Sequence, residues 1–314
     1  MKKHLILILV VIFCTNILAK DDLIYQYDFD NKIMYSLDGG MSMLYYDEDD
    51  LKYPGTYYLA KYEKEDLVEI EKVEIENNYK GTNFFANTEN DFINYVKYAC
   101  ENMMPSITIT KKGSVKDPQK YLAKYLNRTL DKYPLLAVKG FSASHQYSKG
   151  NVIFTIYFDY FFKSKSEYDN YNKKVNTIID KILNTAINSD DPEQYIYEYI
   201  LDNVSYKSGQ YSHTIQGALV DGYAVCDGYS KTFMMLLNMC GIQSDVVSGK
   251  TSTGVNHMWN RVYDKQFTST DRIEMEDKGN YTIYYCDLTF EDTGTGDYYN
   301  LTDSPHQIID FYQY

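Results

Sequence analysis

The sequence predicts an α+β protein in which a cysteine at the mouth of one helix faces an antiparallel sheet. Three observations carry this expectation. After Cys226 the apolar residues Tyr229, Phe233, Leu236, Leu237 and Cys240 recur at helical spacing as far as Gly241, where a left-handed backbone costs little, so a helix spans Cys226 to Met239. Further on, the pattern alternates: His257, Trp259, Arg261 and Tyr263 share one face of a strand, and Tyr281, Ile283, Tyr285 and Asp287 share one face of a second, spanning Tyr281 to Thr289. Before Cys226, short tyrosine-rich strands give way to alternating helix and strand patterns, as in α+β folds.

The elements follow in chain order. Residues 1–19 read as a secretory signal peptide, with basic Lys2 and Lys3, an apolar run from Leu5 to Phe13 and a polar tail ending at Ala19. The apolar run is too short to span a bilayer and no other segment reaches the ~20 apolar residues required, so the mature chain is expected to have no transmembrane segment. Phe13 stands where a lipid-anchored Cys14 would need a small residue, which counts against an anchor. The protein is expected to be secreted, periplasmic or held at the cell surface. Residues 20–84 form a β-rich region, including Leu23 to Phe29 and Leu67 to Ile75, with turns at Asp38-Gly39-Gly40 and Pro54-Gly55.

Residues 85–165 form an α+β unit: a helix from Glu89 to Met104, a strand from Ser106 to Lys111, a helix from Asp117 to Lys132, and strands at Leu136 to Ser142 and Asn151 to Phe162. Residues 166–314 form the last domain. Its first helices cover Ser166 to Ile187 and Pro192 to Val204, the second opened by Asp190-Asp191-Pro192 with proline at an early helical position.

A thiol, an imidazole and a carboxylate then arrive in order at Cys226, His257 and Asp287. A thiol at its free pKa near 8.5 is only a few per cent thiolate at neutral pH, so a cysteine nucleophile needs help. The unpaired amides of a helix N-terminus favour the anion and later an oxyanion. Gly222 and Gly228 are expected to keep the approach to sulfur free of side chains. A register placing 257 opposite 287 would set imidazole and carboxylate side by side, the carboxylate fixing the tautomer that takes the thiol proton.

These motifs resemble the transglutaminase-like superfamily of papain-type cysteine enzymes, especially its secreted bacterial members. The turn Gly222-Tyr-Ala-Val-Cys226-Asp-Gly-Tyr229, the pair Gly241-Ile242, the strand His257-Met-Trp-Asn-Arg-Val262, the end Asp287-Leu-Thr-Phe290 and the run Ser212 to Leu219 each match its pattern, over residues 185–291. The resemblance implies Cys226 as nucleophile, His257 as general base and Asp287 as the orienting acid. It leaves Gln216 and Tyr211 as candidates for assisting the oxyanion, and implies no cofactor. One departure is the long charged hairpin loop 264–280, with Asp271, Arg272, Glu274, Glu276, Asp277 and Lys278.

Plainer readings stand beside these. A lone buried cysteine is usually a small core hydrophobe, the reading given to Cys240 and Cys286. Trp259 either lines an acyl-binding groove or forms a wall of the core, and packing is favoured. His145, His213 and His306 have no partner at ligand spacing, so no metal site is expected. If Cys226 stays free, the remaining mature cysteines Cys100, Cys240 and Cys286 form at most one bridge.

With 44 acidic against 31 basic residues, and Lys2 and Lys3 lost with the signal, the mature chain carries a formal charge of −15. Such a surface is a poor partner for nucleic acid. The 35 tyrosines are read as biased codon usage before a carbohydrate-binding platform. The residues therefore point to a protein or peptide substrate, including cell-wall peptides, and to one of two roles. Either a cysteine enzyme attacks a carboxamide or peptide carbonyl through a thioester, with hydrolysis favoured over transamidation, or a catalytically silent module uses the same groove for binding.

Overall fold

The computed structural model of the chain describes residues 32–37, 43–44, 55–63, 66–75, 84–263, 283–294 and 296–308. The signal segment, the strand expected at Leu23 to Phe29, the turn Asp38-Gly39-Gly40 and the charged loop 264–280 lie outside them. Four strands open the chain: β1 Lys32–Leu37, β2 Met43–Leu44, β3 Gly55–Glu63 and β4 Asp66–Ile75, antiparallel in the order β2-β1-β3-β4. The period-two alternation of β3 divides its side chains between two cores. Tyr57 and Leu59 join one, while Tyr58, Ala60 and Tyr62 join the other. This sheet is thus a shared wall between the two units that follow.

The first of these comprises β5 Phe84–Ala86, α1 Glu89–Glu101, β6 Ser106–Lys111, α2 Pro118–Lys132, β7 Val138–Ser148 and β8 Asn151–Tyr160, in a sheet ordered β5-β6-β8-β7. Its helices begin where the sequence supplies caps. Thr88 and Asp91 form a capping box, and Asp117 caps a helix with Pro118 in its first turn. Phe92, Phe154 and Tyr125 fill the space between helices and sheet.

The second unit runs through α3 Lys165–Ala186, α4 Pro192–Asn203, the short β9 Ser205–Tyr206, a π-helical turn Gly217–Asp221, β10 Tyr223–Ala224 and α5 Cys226–Met239. Then come β11 Ser244–Lys250, β12 Asn256–Tyr263, β13 Ile283–Cys286, α6 Leu288–Asp292 and β14 Gln307–Ile308, the strands forming one antiparallel sheet ordered β13-β12-β11-β14. Helix α5 lies on β11 and β12. Its stop is the expected one: Gly241 has φ 73°, and the amides of Gly241 and Ile242 close on the carbonyls of Asn238 and Leu237. The mixed α+β architecture and the helix from Cys226 follow the sequence expectation.

The second strand of the hairpin does not. It ends at Cys286, and Asp287 becomes the N-cap of α6, its side chain accepting from the Phe290 amide at 3.2 Å. Asn260 pairs with Cys286, so the ladder brings Asp287 into line with Trp259 rather than His257, two residues from the expected register. A two-residue offset keeps every side chain on its face. The residue that reads as a strand end is a helix start because its carboxylate satisfies an orphan amide there.

Candidate active site

Helix α5 opens without a side-chain cap: Val225 is its extended N-cap and Cys226 its first residue. The approach is built by two glycines, each with a packing task. Gly222 ends the π-helical turn at φ 70°, a left-handed conformation disfavoured for other residues. Gly228 lets the first turn of α5 close against the Ser212 carbonyl, which a Cβ would strike together with the Cβ of Ala224. Gly228 is therefore a packing glycine, where the sequence had suggested a role at the sulfur. Asp227, largely covered, is held by His213 Nδ1 at 2.9 Å and Lys231 Nζ at 3.4 Å.

Strand β12 is fixed to this helix by Asn260, fully buried, whose side-chain amide donates to the Ser230 carbonyl at 2.9 Å and to the Asp245 carbonyl at 3.2 Å. That places His257, from the same strand, against Cys226. His257 Nε2 donates to Asp287 Oδ2 at 2.7 Å. With Nε2 so occupied, Nδ1 is the nitrogen left for sulfur. Burial opposes a charge on His257, but hydrogen bonds and charge from Asp287 and Cys226 outweigh it and hold the imidazole up at about 9. Burial likewise opposes ionisation of Asp287, which is 1% exposed, and the bonds from His257, His306 and the Phe290 amide reverse that and hold it below the usual carboxylate range.

The structure brings together the three residues singled out by the sequence and adds a fourth. His306 Nε2 donates to the same Asp287 Oδ2 at 2.8 Å, although the sequence reading gave it no partner. Nothing local in the sequence marks it, because its approach depends on the chain folding back after α6. His257, Asp287 and His306 offer three potential metal-ligand atoms within 4.8 Å of one another. Ligands to zinc lie at about 2.0–2.2 Å from one common point. Here both ring nitrogens converge at hydrogen-bond distance on the carboxylate oxygen itself, the geometry of a hydrogen-bonded array.

Tyr206 is a further neighbour not anticipated. It sits on β9 beside β10, half exposed, and burial followed by the nearby charges of Cys226 and Asp227 pushes its hydroxyl pKa up.

The remaining sequence candidates are turned elsewhere. Gln216 spends its amide nitrogen on the Leu135 carbonyl at 2.9 Å and Asn172 Oδ1 at 2.7 Å, leaving no donor for an oxyanion. Tyr211 donates its hydroxyl to Glu167 at 2.5 Å and stacks on Phe162. Gln216 is thereby tied to Asn172 and Tyr211 to Glu167, both on α3. Trp259 is 0% exposed and stacks at 17° behind His257, 6.0 Å between ring centroids, so it forms a wall of the core and cannot line a groove. Of the four described cysteines, only Cys226 is not buried. Burial pushes the thiols of Cys100 and Cys240 up to about 12 and that of Cys286 well above the ordinary range.

The site thus sets a cysteine at a helix mouth beside a histidine from an antiparallel sheet and a carboxylate at the cap of a short helix, an arrangement like that of papain-type sites. Residues 162–272, about a third of the chain, match the family model described as the transglutaminase-like superfamily. The matched segment contains Cys226 and His257; Asp287 and His306 lie beyond it. Comparison with curated proteins gave no match. Among solved structures, the chain is similar to a TGase at 18% identity, covering 71% of this chain and 68% of that one, with a TM-score of 0.27. It is also similar to a protein of Cytophaga hutchinsonii provisionally described as a cysteine protease, at 13% identity, covering 48% and 65%, again with a TM-score of 0.27. Likenesses at that TM-score add nothing to the argument. No helix among the described residues is long and apolar enough to cross a membrane.

Proposed function

We propose that the chain is an exported cysteine enzyme that acts on peptide or carboxamide bonds of proteins or cell-wall peptides. The observation that carries this reading is the bond from His257 Nε2 to Asp287 Oδ2, which leaves the other ring nitrogen to Cys226. Cys226 gives its proton to His257 Nδ1, and the thiolate attacks the carbonyl carbon. The backbone amides at the start of α5 receive the developing oxyanion. His257 returns the proton to the leaving amine or ammonia as the carbon–nitrogen bond breaks, giving a thioester on Cys226. Water, deprotonated by His257, then attacks the thioester and releases a carboxylic acid and the free thiol. A lysine amine in place of water would yield an isopeptide crosslink, and hydrolysis is the favoured outcome.

The test pairs a glutamine donor peptide and a set of wall peptides with a primary-amine probe, read by mass spectrometry. Acid products that disappear in Cys226→Ala support hydrolysis, and amine incorporation that disappears in the same variant moves the assignment to transamidation. The silent-module reading is separated by thiol reactivity. At about pH 6, where ordinary thiols are mostly protonated, Cys226 of the native chain should be alkylated far faster than Cys240 or Cys286, whose accessible rates are taken from the unfolded chain. Equal rates would favour a binding module.

A further inference from the structure

The Asp287 carboxylate has one oxygen committed to structure and one to chemistry. Oδ1 accepts from the Phe290 amide at 3.2 Å. Oδ2 accepts from two imidazoles, His257 at 2.7 Å and His306 at 2.8 Å. The second imidazole is delivered by the segment that follows α6. That segment returns along the sheet: Tyr285 and Leu301 exchange both backbone bonds at 2.8 and 2.9 Å, and Tyr298 accepts from the Asp287 amide at 3.0 Å. Gln307 and Ile308 then pair with Lys250 and Gly249 at the far edge of the sheet. His306 lies between these two anchorages. Its side chain is 5% exposed, set edge-on to His257 at 5.0 Å and to Trp259 at 5.2 Å, with Phe290 at 4.7 Å.

We propose that His306 is a positioning residue for the reaction, donating its Nε2–H to Asp287 so that the buried carboxylate stays ionised and aimed at His257. This rests on the reading of Cys226, His257 and Asp287 given above. The physical reason is the cost of a buried charge, which falls with each donor that replaces water. The titratable groups facing Asp287 are few. His257 comes from β12 and His306 from the returning segment, while Cys286 on β13 and Tyr197 on α4 stand near it with pKa values pushed well up by burial and are therefore neutral. Among the described residues, the two imidazoles are the groups that can balance the carboxylate. If His306 is removed, Asp287 keeps one side-chain donor and takes up its proton at higher pH. A protonated Asp287 no longer supports the imidazolium of His257, and the thiolate of Cys226 loses its partner.

The test needs no substrate. The rate of Cys226 alkylation by iodoacetamide, located by mass spectrometry, is followed across pH in the full chain, in His306→Phe and in His306→Gln. The expected result is an acidic limb that moves upward by about one pH unit in His306→Phe, an approximately tenfold loss of rate on that limb. His306→Gln, which keeps an N–H donor, should return the limb toward the parent position. Should His306→Phe lack the parent circular dichroism spectrum, His306→Asn, too short to reach the carboxylate, takes its place with the same expectation. A limb that stays in place in the donor-less variant overturns the proposal, even if the overall rate drops, since looser packing alone lowers the rate at every pH. A parent protein whose Cys226 reacts no faster than an ordinary thiol overturns the enzyme reading itself. The two failures are therefore distinguishable.

Discussion

Asn260 donates its side-chain amide to the Ser230 carbonyl, 2.9 Å away, and this bond sets the distance between the strand of His257 and the helix of Cys226. Both partners are buried, so the carbonyl would be left without this donor if the amide were lost. Asn260→Ala is expected to cost about 1–3 kcal/mol, for the two buried hydrogen bonds it removes. It should also slow Cys226 alkylation as His257 moves from the sulfur. Denaturant unfolding and alkylation kinetics together check this; unchanged kinetics with lowered stability would restrict Asn260 to a packing role.

Gly228 tests how closely the helix that presents Cys226 is packed. A methyl group there would meet the Ser212 carbonyl and the Ala224 Cβ. Gly228→Ala is expected to destabilise by about 1–3 kcal/mol, as overpacking does. Gly140 has open space at the corresponding point, so Gly140→Ala serves as the control and should shift the midpoint little.

The proton on His257 makes stability depend on pH. Its pKa is raised from 6.5 to about 9, so the protonated form stabilises the native state. That contribution is full below the unfolded value near 6.5 and is lost as pH rises through about 9. Stability should therefore fall across this window, by on the order of 3 kcal/mol at most, and Tm with it. Cys226→Ala removes one of the groups that raise His257 and should flatten the fall. Tm measured by scanning fluorimetry at each pH decides it, and a flat parent profile would contradict the assignment.

The returning segment offers a separate handle. A Cβ on Gly249 would run into the Gln307 carbonyl and the tip of Trp259, displacing the residue next to His306. Gly249→Ala is expected to weaken the β11–β14 pairing and lower Cys226 reactivity by about tenfold if Asp287 loses one donor and one pKa unit. Hydrogen exchange at Gln307 and Ile308, read beside alkylation, should change in step with it.

Part of the local grammar of the chain was legible in the sequence. The helix start at Asp190-Asp191-Pro192 and the glycine stop at Gly241 are short-range events, each written within a few residues. Helical spacing after Cys226 likewise fixed the helix that presents the sulfur. What failed was longer in range. The register of Asp287 missed by two residues because its capping of α6 competes with the strand pattern. Gln216 and Tyr211 were misjudged because their partners, Asn172 and Glu167, lie on α3, and only packing reveals which donors are already spent.

By itself the sequence singled out Cys226, His257 and Asp287 and the helix that bears the cysteine, since residue type and periodicity are properties of the chain alone. Tertiary structure decided how those elements meet. It placed Trp259 behind His257, divided the faces of β3 between two cores, and brought His306 from beyond α6 onto the oxygen that His257 also uses. Such contacts arise from burial and long-range pairing, whose partners no local pattern specifies.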